Sequence, residues 1–92
     1  MSKETLNTLQ AILNTVSNPA YLKYKGHIIL KNDAFEQYNF SRFISKNDFE
    51  NPEYEKKIKI INDNFDLVEI TNHEILALNE STKKLLQAMN LL

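Results

Sequence analysis

An α+β fold, with an antiparallel sheet flanked by helices, follows from three observations on the 92-residue sequence. Stretches of helical period open and close the chain. The only glycine, Gly26, sits between two runs of aromatic and branched residues. Further branched runs follow Pro52, separated by short polar turns, and such tight connections make the paired strands antiparallel.

Ser2 is placed to cap a first helix with Glu4 in its opening turn. Leu6, Leu9, Leu13 and Val16 recur along one face, Ile12 widens that stripe, and Ser17-Asn18-Pro19 ends the helix. Ala20–Tyr24 and His27–Leu30 read as a hairpin, with Gly26 supplying the positive φ of its turn. Asn32-Asp33 caps a short helix, Ala34–Tyr38. The irregular stretch through Pro52 and just beyond carries Phe40, Phe43, Ile44, Phe49 and Tyr54, which predicts one or two helical turns tucked over the core. Lys56–Ile61, Phe65–Thr71 and Glu74–Leu78 are expected strands, and Asn79 is the expected cap of a helix running to Leu92.

Both faces of this sheet are apolar, because Tyr21 opposes Leu22, Val68 and Ile70 oppose Phe65 and Leu67, and Ile75 opposes Leu76. The short central helices cover one face. The second needs the N-terminal helix, and what remains exposed is expected to be buried in a homodimer through Leu6, Leu9, Ile12, Leu13 and Val16. The alternative is a monomer in which the first helix alone seals the sheet.

Composition narrows the function. One domain is expected at this length, and a 42% hydrophobic share suffices for a core without disulfides. A net charge of -1 argues against nucleic-acid binding. With no cysteine there is no thiol nucleophile or thiolate metal site, and a cytoplasmic setting is the simplest expectation. No apolar run approaches the roughly 20 residues of a membrane helix. A lone glycine cannot build a phosphate-binding loop, and Asp33, Glu36, Asp48, Glu50 and Glu53 are scattered over turns and polar faces. Neither an enzyme nor a metal site is expected. His73 beside Glu74 reads as a solvated turn residue.

Leu13 to Leu30 followed by Asn32-Asp33-Ala34-Phe35 resembles the opening of a PAS domain: helix, proline turn, hairpin around a glycine, then asparagine, alanine and phenylalanine starting a helix. Ile75-Leu76-Ala77-Leu78-Asn79-Glu80-Ser81 is similar to the last PAS strand and the polar turn that launches a signalling helix. Asn39–Glu55 is shorter than the family's usual central helices. The resemblance implies a five-stranded antiparallel sheet with short helices on one face and flanking N- and C-terminal helices. Residues 1–18 would form the N-terminal helix, 19–80 the PAS-like core and 81–92 a signalling or linker helix. It also implies a sensory or dimerisation module of a signal-transduction or transcription-regulatory protein, with an output domain or partner protein downstream of an apolar end, Asn90-Leu91-Leu92. The alternative function is a standalone adaptor or inhibitor that binds one protein partner.

No resident cofactor is expected. Tyr38, Phe43, Ile44, Phe49 and Ile60 would line a pocket if the middle segment stands off the sheet, and form plain core if it packs down. Leu78, Leu85 and Leu92 are seven apart, with Ala88 between, which fits either a coiled coil or a helix docked on its own domain.

Overall fold

The computed structural model describes residues 1–90. Helix α1 spans Lys3–Leu13, and Ser2 caps it by accepting a hydrogen bond from the Thr5 amide at 3.1 Å. It ends one turn sooner than Val16, because the chain then folds in overlapping turns, with Thr15 and Val16 amides bonding to Ile12 and Leu13 carbonyls. Strands β1 (Ala20–Tyr24) and β2 (His27–Lys31) form the expected hairpin. Both turn residues have positive φ, 49° at Lys25 and 81° at Gly26. Nothing lies near a side chain added at Gly26, so substitution there costs backbone strain and causes no clash.

Helix α2 (Asp33–Gln37) is capped by Asn32, whose Oδ1 accepts from the Phe35 amide at 3.0 Å. A single 3₁₀ turn follows at Phe40–Phe43. The rest of the middle segment is a small hairpin, β3 (Ile44–Ser45) with β4 (Asp48–Phe49), turning at Lys46 and Asn47 through positive φ values of 52° and 61°.

Strands β5 (Glu55–Ile60) and β6 (Phe65–Thr71) complete the main sheet in the order β2-β1-β6-β5, every neighbour antiparallel. Chain-distant β1 and β6 thus lie side by side at its centre, with Tyr21 opposite Val68. The architecture is α+β, and the sheet has four strands, with the two-stranded β3–β4 unit apart from it.

The strand expected at Glu74–Leu78 is instead the start of helix α3 (His73–Asn90). Asn72, taken from the sequence as a turn residue, is an N-cap: its Oδ1 accepts from the Ile75 amide at 2.9 Å and its carbonyl from the Leu76 amide at 3.1 Å. Leu and Ala are strong helix formers, so Ile75-Leu76-Ala77-Leu78 follows the cap into helix. Asn79 consequently lies within the helix and caps nothing, and the C-terminal helix begins at His73 rather than after residue 80. Leu91 and Leu92, including the last leucine of the expected heptad, lie outside the described residues.

Two apolar layers sandwich the sheet. Tyr21, Val68, Ile70 and Ile75 pack with Phe35, Phe40 and Phe49 from the middle segment. On the opposite face Leu13, Ala20 and Leu22 pack with Leu9, Val16, Phe65 and Leu67. The first helix therefore covers the second face, as the doubled apolar pattern required.

Candidate functional site

The five residues expected around a pocket do not enclose one. Phe49 is buried, and Tyr38, Phe43 and Ile44 pack around the same cluster. Phe40 occupies the space among them, its ring centroid 5.1 Å from Phe49, 5.3 Å from Tyr38, 4.9 Å from Tyr54, 5.7 Å from Phe35 and 6.1 Å from Phe43. These are ordinary separations for packed aromatic rings. Ile60 is absent from the group because β5 carries it to the far end of the sheet, where it is 78% exposed. A groove of about 270 Å³ does open beside this cluster, lined by Phe49, Glu50, Asn51, Pro52, Tyr54 and Lys56.

Beside the aromatic layer sits a polar cluster that sequence reasoning did not assemble. The Tyr21 hydroxyl donates to Asp48 Oδ1, which also accepts from the Phe49 amide at 2.9 Å. Lys23 Nζ and Lys56 Nζ stand 3.6 Å and 3.4 Å from Asp48 Oδ2. Burial, then the bond to Asp48, pushes the Tyr21 hydroxyl well above the usual phenol range. Burial alone would raise the Asp48 carboxyl, but the Tyr21 hydrogen bond, the Phe49 amide and the two ammonium groups outweigh it and hold the group below the usual carboxylate range. A phenol held protonated and a carboxylate held ionised and saturated with partners make a poor base–nucleophile pair and a good clasp: they pin the β3–β4 hairpin to β1 and β5.

That clasp gives a two-sided pH dependence. Asp48 binds its proton more weakly when folded, so its contribution is present above the unfolded value of about 3.9 and is lost as pH falls through the lower folded value. Tyr21 binds its proton more tightly when folded, so its contribution is present below about 10 and is lost as pH rises towards the higher folded value. Urea titrations across pH should show Asp48→Asn less acid-sensitive than the wild type and Tyr21→Phe less alkali-sensitive. Parallel profiles for all three proteins would contradict the clasp.

A second polar group lies at the start of β1, where Asn32 is 1% exposed and fully bonded. Its Oδ1 also accepts from the Ala20 amide at 2.9 Å. Its Nδ2 donates to the carbonyls of Asn18 at 2.8 Å, Val16 at 3.1 Å and Leu13 at 3.5 Å. One amide thereby joins the end of α1, the proline turn, β1 and the start of α2. From the same turn, Asn18 Oδ1 accepts from Asn79 Nδ2 at 2.6 Å and Asn18 Nδ2 donates to Glu69 at 3.4 Å, which ties α3 and β6 to the turn that follows α1.

Of the residues expected at a dimer interface, Leu13 is buried against the sheet and Leu9 and Val16 pack beside it. Leu6 is half-buried, and Ile12 points outward at 59% exposure. Helix α3 contrasts with α1: it buries Ile75 and leaves Leu76, Leu78, Leu85, Leu86 and Met89 exposed. His73 is exposed at the start of that helix. Among the described residues no group of three or more His, Asp or Glu is gathered to hold a metal, and no helix is long and apolar enough to cross a membrane. Comparison with family models, curated proteins and solved structures finds no match.

Proposed function

We propose that this chain is a PAS-like sensory or dimerisation module of a signal-transduction or transcription-regulatory protein, acting through protein contacts in a cytoplasmic setting. Short helices on one face of an antiparallel sheet and a longer N-terminal helix on the other support the reading. The family's fifth strand has no counterpart in the main sheet among the described residues, so the module is a reduced version of that plan.

The observation that carries the proposal is the state of α3. Leu78, Thr82, Leu85 and Met89 follow one another at alternating spacings of four and three, the seam of a two-stranded coiled coil. This seam is exposed along the helix, and in proteins most helical stability comes from packing of the apolar face. A second copy that pairs α3 with α3 buries the seam. Asn18 and Asn79 would then couple the paired helices to the sheet and to the end of α1.

Sedimentation equilibrium at micromolar concentration should give a dimer mass. Leu85→Asp should lower the association constant at least tenfold while leaving thermal unfolding of the monomer unchanged, because Leu85 makes no core contact. On α1 the informative change is Ile12→Asp, since Leu13→Asp would damage the core itself. A monomeric wild type, or a dimer indifferent to Leu85→Asp, would remove α3 as the contact.

A further inference from the structure

Strand β5 pairs with β6 on one side, and among the described residues nothing pairs with its other side. Its outer rim therefore carries unpaired amide and carbonyl groups, the template on which an extended segment can add a strand. The side chains of this rim are sorted by face. Residues opposite each other in an antiparallel pair share a face, and Ile58 stands opposite Val68 with Ile60 opposite Asp66. Both isoleucines thus lie on the face of the short helices, beyond the aromatic layer, 59% and 78% exposed. Lys57 and Lys59, opposite Glu69 and Leu67, lie on the other face. Lys59 reaches Glu69 at 3.7 Å and is still 66% exposed.

We infer that the open edge of β5 is a docking site for an extended partner segment in which acidic and apolar residues alternate. Such a segment continues the sheet as a fifth strand. Its apolar side chains cover Ile58 and Ile60, and its carboxylates meet Lys57 and Lys59. Charge selects this occupant over a second copy of the chain. Three lysines against the single Glu55 leave β5 positive, and antiparallel self-pairing centred on Ile58 sets Lys57 against the partner copy's Lys59. Lysines on an edge strand discourage such self-pairing and, by the same charge, favour an acidic strand. The inference rests on the main sheet alone and is independent of pairing through α3.

The test uses the full chain and two fluorescent hexapeptides, one alternating Val and Glu, the other Val and Lys, followed by anisotropy. The Val-Glu peptide should bind saturably and the Val-Lys peptide at least tenfold more weakly. The double variant Lys57→Glu, Lys59→Glu changes exposed side chains only, and its fold is checked by circular dichroism. It should reverse the preference. Ile60→Ser should weaken the Val-Glu peptide several-fold, and backbone amide shifts on binding should centre on residues 55–60. No saturable binding at millimolar peptide, or equal binding of both peptides, would overturn the proposal. A loss of self-association in the double variant without any peptide would also overturn it, by making a second copy the occupant.

Discussion

Asn32→Asp should strip away a large share of the protein's stability at neutral pH. The substitution conserves shape and removes the donor, so the carbonyls of Leu13, Val16 and Asn18 lose their shared partner. A carboxylate oxygen then faces them in a site that is 1% exposed. A buried charge stripped of its partners costs about 3–5 kcal/mol, an upper range here because two amides remain bonded, against a total stability of about 5–15 kcal/mol for a domain of this kind. The loss should ease in acid. One carboxylate oxygen keeps the Ala20 and Phe35 amides, but burial and the three carbonyls facing the other oxygen raise the folded pKa, so the variant regains stability as pH falls, when the neutral acid can donate one hydrogen bond. Asn32→Ala, which introduces no charge, should be destabilised by a smaller amount with no such recovery. Urea unfolding at pH 7 and pH 4.5 separates the cases, and an Asp variant within 1 kcal/mol of wild type at pH 7 would show that the amide does not hold these elements together.

Phe40→Ala should cost about 3–5 kcal/mol, the range for emptying a buried aromatic position. Phe40 stands among the rings of Phe35, Tyr38, Phe43, Phe49 and Tyr54, so its removal leaves those rings with a void between them. Phe40→Leu should cost less, because it refills part of that space. The same variant decides how the middle segment is to be read. Void-lining apolar walls stay dry and accept small apolar molecules, so benzene or indole should raise the melting temperature of Phe40→Ala and leave that of the wild type unchanged. A shift in the wild type would mean that the aromatic layer already holds a ligand cavity.

Much of the fold was legible because its signals are local. Ser2 and Asn32 are caps as read, the Lys25-Gly26 turn is where the glycine pointed, and the doubled apolar pattern of β1 and β6 called for a second covering layer. The reading failed where one local pattern serves two structures. Asn72 can open a turn or cap a helix, and Ile75-Leu76-Ala77-Leu78 is too short and too uniformly apolar for periodicity to choose. The β3–β4 hairpin escaped because Lys46-Asn47 carries no glycine, although Asn tolerates the left-handed conformation found there. Nothing local could join Tyr21 to Asp48 or Asn18 to Asn79, since those contacts are made by the sheet order. Asn32 was visible as a cap, while its three donor contacts required the turn after α1 to double back over it.

The adjacency of β1 and β6 also governs when this protein can become itself. While the chain is being synthesised, the β1–β2 hairpin can close early, but β1 lacks its other neighbour until Thr71 has emerged. Such sequence-distant pairing slows folding and prolongs the exposure of sticky intermediates. Until β6 arrives, Phe65 and Leu67 are missing from the layer in which Leu9 and Leu13 pack, and Tyr21 has no Val68 beside it. The nascent molecule therefore carries, until β6 is made, the open edge of β1 and an incompletely matched apolar layer.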